Sequence, residues 1–374
     1  MTTPRHGQAS PPEPDAVQLL TPEGVRVEHP DYPLDITDEQ IGALYRDLAL
    51  VRRFDGEATA LQRQGELGLW ASCLGQEAAQ VGAGRALRPQ DMAFPTYREH
   101  GVAWSRDIDP MMLLSMFRGT DLGGWDPEAT KFGIYTIVLG AQTLHAAGYA
   151  MGVVRDGAVG TGDPDRDTAV LAFFGDGASS QGDVNESFVF AAAGNLPVVF
   201  FCQNNQWGIS TPVEKQTRIP LYQRASGFGF PGVRIDGNDV LASLAVTRQA
   251  LEDARSGQGP TLIEAFTYRM GAHTTSDDPT RYRLDAELET WRLRDPVERV
   301  RAYLTRTAGF GQDFFDGIEA EGDALAERVR ATVRSLEDPA PLAPFDHVTT
   351  TISDELRAQR DDYAAYLGTL EETH

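Results

Sequence analysis

The sequence predicts an α/β fold in which a mostly parallel β-sheet carries helices on both faces. Short apolar runs, typical of buried strands, alternate with stretches of helical spacing from about residue 91 to residue 267. A glycine-rich turn follows one of these runs directly, and a helix follows the turn. Strands joined through helices run parallel, so their carboxyl ends meet at one edge of the sheet, where folds of this kind bind ligands.

Two helices are predicted before the sheet. Apolar residues recur at helical intervals over residues 38–64, with Thr37 or Asp38 as the cap. Residues 75–88 form a second predicted helix, whose many small residues would allow close packing. Residues 1–35 contain several prolines and little periodicity, which predicts an extended or partly disordered N-terminal arm.

The central region predicts the sheet itself. The strands are expected at residues 169–174, 196–202, 233–235 and 261–267, and the intervening helices at 182–194 and 240–255. Beyond residue 285, helices dominate. They include 323–336 and 352–367, which a proline-containing linker at 339–344 separates. We therefore expect one domain over residues 36–300 and a C-terminal helical extension over 301–374.

Composition limits the class of protein. The chain has 374 residues, 41% of them apolar, which is enough for a large core. It has no apolar run of about 18 residues and no signal-like N-terminus, so we expect a soluble, cytoplasmic protein without a membrane span. Cys73 and Cys202 lie in apolar contexts and are expected to be reduced and packed. A net charge of −22 argues against binding nucleic acid.

Two polar motifs follow the first two predicted strands, which lie at residues 169–174 and 196–202. Gly175-Asp176-Gly177 ends the first apolar run, and Asn204-Asn205 ends the next. A carboxylate and an amide oxygen suit Mg²⁺, and the start of the helix after the glycine turn suits phosphate. A lone Gly-Asp-Gly is usually only a turn, and a dinucleotide fingerprint would need Gly-x-Gly-x-x-Gly. The pair of motifs together predicts a magnesium diphosphate site.

The spacing of these motifs resembles that of the thiamin diphosphate-binding fold. The segment FFGDGASSQGDVNESFVFAAAGNLPVVFFCQNNQWGISTP is similar to the α subunit of the E1 component of 2-oxo acid dehydrogenase complexes. The likeness runs from about residue 48 to 295 and includes GQEA at 75–78, Tyr97-Arg98, GAQ at 140–142 and YRMGAHTTSDD at 268–278.

The resemblance implies a set of site residues. It places Tyr97, Arg98, Gly177, Ala178 and His273 at the cofactor diphosphate, and the backbone of Ile137 and Leu139 at the aminopyrimidine ring. It implies Asp176, Asn205 and the carbonyl of Trp207 as Mg²⁺ ligands. His273 and Arg269 are the implied catalytic residues: the histidine could donate to phosphate or substrate and move protons, and the arginine could orient its loop. Gln142 could help bind K⁺.

Three positions depart from the family pattern. Gln203 stands where branched-chain relatives often have arginine, Ala272 stands where a second histidine is common, and Gln181 replaces an acid. These departures bear on phosphate binding and on substrate preference.

The resemblance also implies the function. An E1 α subunit takes part in oxidative decarboxylation of a 2-oxo acid and in acyl transfer to lipoyl-E2. A β subunit supplies the glutamate that activates the cofactor, in an α2β2 heterotetramer. Residues 97–101 and 276–282 look closest to enzymes for the branched-chain acid 3-methyl-2-oxobutanoate, whereas residues 210–216 also occur in pyruvate dehydrogenases. A non-catalytic binding subunit is the alternative of a different class.

Overall fold

The structure is a computed structural model that describes residues 15–121 and 123–371. In these ranges the strands are β1 (Met92–Phe94), β2 (Val170–Gly175), β3 (Val198–Asn204), β4 (Trp207–Gly208), β5 (Thr211–Pro212), β6 (Gly232–Asp236) and β7 (Thr261–Phe266). The helices are α1 (Asp38–Arg63), α2 (Glu77–Ala86), α3 (His100–Ser105), α4 (Pro110–Arg118), α5 (Pro127–Thr130), α6 (Ala141–Arg155), α7 (Gly182–Gly194), α8 (Arg224–Phe228), α9 (Val240–Arg255), α10 (Asp285–Arg292), α11 (Pro296–Arg306), α12 (Gln312–Ser335) and α13 (Asp354–Glu371).

The central sheet has five parallel strands in the order β1-β2-β3-β7-β6. In the middle strand β3, Phe201 pairs with Phe173 of β2 on one side and with Ile263 of β7 on the other. The strand order places β2 and β3 side by side, so the motifs that follow them emerge together at the carboxyl edge. The predicted α/β fold is confirmed.

Alternate residues of the strands face two separate cores. Phe173 and Phe201 belong to the larger core, which they share with α1, α2, α9, α11 and α12. Phe174 and Phe200 point to the opposite face and pack with α6 and α7. This alternation explains why the strands are apolar throughout, since both of their faces are covered.

The predicted close packing of α2 is observed against α9. A Cβ atom at Gly82 would lie 2.5 Å from Ser243 Cβ and 2.7 Å from the Val240 carbonyl oxygen. The Thr37 cap of α1 is also observed, as a capping box with Gln40. Both features follow from local sequence: small residues let two helix backbones approach, and a hydroxyl satisfies a free amide at the helix start.

We expect Gly82→Ala to destabilise the chain by about 2–3 kcal/mol, because the added methyl group has no room between α2 and α9. Denaturant unfolding measures this loss. Gly56→Ala is the matched control: Gly56 is an exposed residue of α1, and a Cβ there meets nothing within 4 Å. That change should stabilise the chain by up to about 1 kcal/mol, since alanine favours a helix. Equal effects at both positions would contradict the packing argument.

The N-terminal segment extends the sheet edge where the structure describes it. Val17 forms a parallel bridge with Ile235 of β6. The amides of Leu19 and Leu20 each donate to the Asp239 carboxylate at 2.6 Å. Residues 1–14 of the predicted arm lie outside the described residues. The division of the chain at residues 35 and 300 stays a prediction.

Some predicted boundaries are wrong at the C-terminal end. Helix α12 begins at Gln312, well before the predicted residue 323, and α13 covers 354–371 instead of 352–367. Glycines within α12 weaken its local helix signal, but packing overrides it: the Phe315 ring lies edge-on to Tyr45 of α1 at 5.3 Å. Cys73 and Cys202 are buried free thiols, as predicted. None of the described helices is both long and apolar enough to cross a bilayer.

Candidate active site

A cavity of about 380 Å³ opens at the carboxyl edge of the sheet, beyond the ends of β2 and β3. Its lining includes most of the residues that the sequence predicted for the site: Tyr97, Arg98, Leu139, Asp176, Gly177, Ala178, Asn205, Trp207 and His273. Arg269, Ile137 and Gln142, which were also predicted for the site, lie outside the lining. Arg269 is fully buried behind the wall, and the Ile137 side chain is 60% exposed. The fold therefore brings together residues from five separate chain segments.

Asp176 lies at the floor of the cavity, immediately after the last residue of β2. Its side chain is buried, and Gln216 Nε2 donates to its Oδ2 at 2.9 Å. Burial raises the pKa of the Asp176 carboxyl to about 6, while the bond from Gln216 favours the ionised form. A buried carboxylate without an arginine or lysine bonded to it is well suited to a cation.

Asn205, directly after β3, and Trp207, the first residue of β4, line the cavity together with Asp176. The Trp207 amide donates to Asn205 Oδ1 at 3.2 Å, and Asn205 Nδ2 donates to Gln76 Oε1 at 3.0 Å. The described residues contain no group of three His, Cys, Asp or Glu side chains that could hold a metal ion. A metal here would therefore rely on one carboxylate with amide and carbonyl oxygens. That donor set suits Mg²⁺, which keeps phosphate and water ligands.

The loop after β3 has a strained backbone. Gln206 and Ile209 have φ of 71° and 56°, in the left-handed region that β-branched residues rarely adopt. Gly208 lies against the Gly177 turn: a Cβ at Gly208 would lie 3.4 Å from Gly177 Cα. Surrounding contacts must hold such a loop in place, and backbone strain of this kind concentrates at functional sites.

Arg269 provides those contacts. Its Nη1 donates to the Trp207 carbonyl at 2.9 Å, and its Nη2 donates to the Ile209 carbonyl at 2.7 Å and to the Tyr282 hydroxyl at 3.0 Å. One planar guanidinium thus bridges two carbonyls on both sides of Gly208. The structure places this predicted catalytic residue behind the loop, where it positions the cavity wall.

Two buried guanidinium groups give the cavity positive charge. Arg98 donates to the carbonyls of Ser72 at 2.6 Å and His273 at 2.7 Å. Among the described residues, the hydrogen-bond partners of Arg98 and Arg269 are carbonyl oxygens, the Tyr282 hydroxyl and the His273 ring, and none of them is a carboxylate. Buried charges are usually paired with an opposite charge, so an anion bound in the cavity would be stabilised by these two guanidinium groups.

His273 is a neutral imidazole between these two arginines. Burial, with the charges of Arg98 and Arg269, lowers the pKa of His273 to about 3. Its Nδ1 faces the guanidinium nitrogens at 3.4 Å and 3.2 Å and must accept from them. The ring proton is therefore on Nε2, which lies 3.3 Å from the Tyr97 hydroxyl. In this arrangement His273 can donate a hydrogen bond through Nε2 at neutral pH.

Several polar residues that line the cavity were not predicted from the sequence to belong to the site. Among them are Gln76, Glu99 and Gln216. Glu99 accepts from the Thr96 amide at 2.6 Å and from Gln203 Nε2 at 2.6 Å, so Gln203 supports a buried carboxylate in place of a phosphate-directed arginine. Gln76 lies in the GQEA motif and Glu99 directly follows Tyr97-Arg98. Their nearness to these two motifs is the sequence signal that could have identified them as site residues.

Gln142 is held by backbone at the start of α6. Its Nε2 donates to the Phe173 carbonyl at 2.8 Å, and its Oε1 accepts from the Gly140 amide at 3.0 Å. Near it, the side chains of Ile137 and Val138 are 60% and 72% exposed. We call Ile137, Val138 and the half-exposed Ile209 the apolar rim: Ile209 lines the cavity, and Ile137 and Val138 directly precede Leu139, which also lines it.

His100 is expected to make the fold sensitive to acid. It follows the turn that contains Arg98, and its amide donates to the Arg98 carbonyl at 2.8 Å. The ring stacks on Trp70 at 4.3 Å, and burial lowers the pKa of His100 to about 3. Below pH 6.5 the unfolded chain takes up a proton there that the folded chain does not. The free energy of unfolding should therefore fall as pH falls, by up to about 1.4 kcal/mol per pH unit from this group.

Urea unfolding of the wild type and of His100→Gln at pH 7 and pH 4.5 measures this contribution. The variant should be less stable at pH 7, and its deficit should shrink as the pH falls. His145→Gln, which replaces an exposed histidine of α6, is the control for the substitution itself. A deficit for His100→Gln that does not depend on pH would contradict the assignment.

The chain resembles known proteins over most of its length. Residues 45–340 match the family model described as dehydrogenase E1 component. The 3-methyl-2-oxobutanoate dehydrogenase subunit alpha of Mycobacterium tuberculosis is 44% identical over 358 residues, which are 94% of each chain. The pyruvate dehydrogenase E1 component subunit alpha is 36% identical in Acholeplasma laidlawii over 337 residues, covering 88% of this chain and 94% of the relative. In Staphylococcus aureus it is 36% identical over 330 residues, covering 86% and 83%.

Proposed function

The chain belongs to the dehydrogenase E1 component family, and we propose that it is the α subunit of a 2-oxo acid dehydrogenase that acts on a branched-chain acid of the 3-methyl-2-oxobutanoate type. The observation that carries the choice of substrate is the 44% identity to the mycobacterial subunit over 94% of both chains, against 36% for the pyruvate dehydrogenase subunits. Pyruvate is the alternative substrate.

The residues of the cavity fit thiamin diphosphate, the cofactor that the family implies. Arg98, which lines the cavity, and Arg269, which lies behind its wall, are buried cations that donate to carbonyl oxygens, and a diphosphate in the cavity would supply a compensating negative charge. We propose Asp176, Asn205 and the Trp207 carbonyl as Mg²⁺ ligands, because all three residues line the same cavity and offer oxygen donors of the kind that Mg²⁺ takes. When bound, the cofactor supplies the nucleophile and the electron sink for decarboxylation of a 2-oxo acid.

The chain's own residues would bind, orient and shield. His273 offers a hydrogen bond from Nε2 in a protonation state that does not change near neutral pH. Leu139, Ile209 and Trp207 provide apolar walls that exclude water from the cavity, which strengthens the electrostatic interactions inside it. Arg269 would act indirectly: it donates to the Trp207 and Ile209 carbonyls and so fixes the loop that forms this wall of the cavity.

An E1 β partner and an E2 component follow from the family. We propose an α2β2 assembly in which the β subunit covers the apolar rim and brings the glutamate for the aminopyrimidine ring. In support, the two acids that line the cavity are already engaged: Asp176 with Gln216, and Glu99 with Thr96 and Gln203. We also propose K⁺ at Gln142, whose amide oxygen accepts one hydrogen bond from the Gly140 amide and has a second lone pair for the ion.

A test is decarboxylation of 3-methyl-2-oxobutanoate and of pyruvate by the chain co-purified with its β subunit, with Mg²⁺ and thiamin diphosphate. We expect a higher kcat/KM for the branched acid, since a pocket sized for an isopropyl group gains about 1–3 kcal/mol per methylene. A preference for pyruvate would select the alternative substrate. Cofactor binding without turnover of either acid would favour a non-catalytic binding subunit, provided that the β subunit is shown to be correctly assembled.

A further inference from the structure

Gln76 combines complete burial with an unused hydrogen-bond donor. The side chain is 1% exposed and lines the cavity. Its Nε2 has no hydrogen-bond partner among the residues that the structure describes. A buried donor of this kind costs about 1–3 kcal/mol unless something satisfies it. No role is assigned to Gln76 by the site described above.

The backbone holds Gln76 in one place. The residue before it, Gly75, has φ of 93°, and a Cβ there would lie 2.4 Å from the Tyr268 carbonyl oxygen. The Gln76 amide donates to the Cys73 carbonyl at 2.8 Å, directly before α2 begins. The side chain therefore extends from a rigid helix start into the cavity, and its position does not depend on a mobile loop.

A chain of hydrogen bonds fixes which end of the amide faces the cavity. The Trp207 backbone N–H can only donate, so the Asn205 atom 3.2 Å from it must be the oxygen. Asn205 Nδ2 then donates to Gln76, whose atom at 3.0 Å must be Oε1. The Gln76 amide is thereby oriented, and its Nε2 hydrogens are directed away from Asn205. An acceptor is required to satisfy them.

We infer that Gln76 is a positioning residue for the magnesium diphosphate: its Oε1 holds Asn205 with Oδ1 available to the metal, and its Nε2 donates to a diphosphate oxygen. This inference rests on the proposed function and assigns a role in it to the GQEA motif. The nearby positive charge of Arg98 and Arg269 favours an anionic acceptor over a neutral one.

Gln76→Glu and Gln76→Met separate the two contacts. Glutamate keeps an acceptor for Asn205 but removes the donor, and methionine removes both at similar volume. Calorimetric titration of thiamin diphosphate at fixed Mg²⁺ into the chain co-purified with its β subunit should give a Kd about 10–100-fold higher for each variant. For Gln76→Glu the cofactor-free unfolding temperature should stay within about 2 °C of the wild type, because an unsatisfied donor is removed and the acceptor for Asn205 is kept. Gln76→Met leaves Asn205 Nδ2 without its partner, so its unfolding temperature should fall, but by less than that of Gln80→Met, which leaves three groups without a partner.

Gln80→Met is the matched control, one turn later on α2. Gln80 is equally buried, but its amide is fully used: it donates to Arg98 O and Gln203 Oε1 and accepts from the Gly101 amide. This change should lower the cofactor-free unfolding temperature. An unchanged Kd for Gln76→Met overturns the inference, whatever Gln76→Glu does. A higher Kd accompanied by a fall in cofactor-free stability like that of Gln80→Met also overturns it. Absence of binding by the wild type overturns the proposed function itself.

Discussion

Asp176→Ala should abolish Mg²⁺-dependent binding of thiamin diphosphate, with a loss of affinity of more than about 100-fold. Asp176 is the one carboxylate among the three proposed ligands, which line the same cavity, and a hard cation depends on such an oxygen for charge. Calorimetric titration of the cofactor at several Mg²⁺ concentrations into the assembled enzyme measures the loss. Activity should disappear in parallel.

The loss of cofactor binding in Asp176→Ala should not result from unfolding of the protein. Burial raises the pKa of Asp176 to about 6, above the ordinary value of 3.8. Its contribution to stability therefore falls as pH rises from 3.8 through 6, and the ionised group is a cost at pH 7. Asp176→Ala should leave the cofactor-free protein at least as stable. Asp183→Ala, which removes an exposed carboxylate at the start of α7, should bind the cofactor normally. Unchanged affinity in Asp176→Ala would mean that the proposed metal site is wrong.

Arg269→Lys should weaken cofactor binding by more than about 100-fold and reduce the free energy of unfolding by about 3 kcal/mol. The charge is kept, but a single ammonium cannot bridge the Trp207 and Ile209 carbonyls in the geometry that the guanidinium provides. Buried carbonyls left unpaired cost about 1–3 kcal/mol each. The strained 206–209 loop would then relax away from the Gly177 turn.

The comparison for this change is Arg281→Lys, at an exposed arginine of the same region. It should alter neither cofactor affinity nor stability. Denaturant unfolding and cofactor titration together distinguish the outcomes for Arg269→Lys. A variant with wild-type stability and affinity would show that the loop holds its conformation without the bridging guanidinium.

The sequence predicted those parts of the fold whose signals are local. Helices α7 and α9 have the predicted bounds, because glycine, asparagine and aspartate mark their ends: Asn195 ends α7 in the left-handed conformation, and the Asp239 side chain caps α9. The β4–β5 hairpin was not predicted. It pairs only Trp207–Gly208 with Thr211–Pro212, and tertiary contacts such as those of Arg269 maintain it.

The residues of the candidate site also fall into those that the sequence could predict and those that depend on tertiary contacts. Asp176 and Asn205 could be predicted because each follows a strand of one parallel sheet, which fixes their proximity. Gln76 could not, because its role depends on Asn205, 129 residues away in sequence, and on the direction of a single amide. The neutral state of His273 was likewise hidden, since it depends on guanidinium groups from two distant segments.

The apolar rim, which the β subunit is proposed to cover, lies beside the polar floor, where the cofactor is proposed to bind. This proximity links subunit assembly to the availability of the cofactor. A ligand that lies between two chains binds their complex more tightly than it binds either chain alone. By thermodynamic reciprocity, the factor by which the proposed β subunit tightens cofactor binding is also the factor by which cofactor tightens the union of subunits. Thiamin starvation would then act twice, emptying the sites and shifting the subunits toward dissociation.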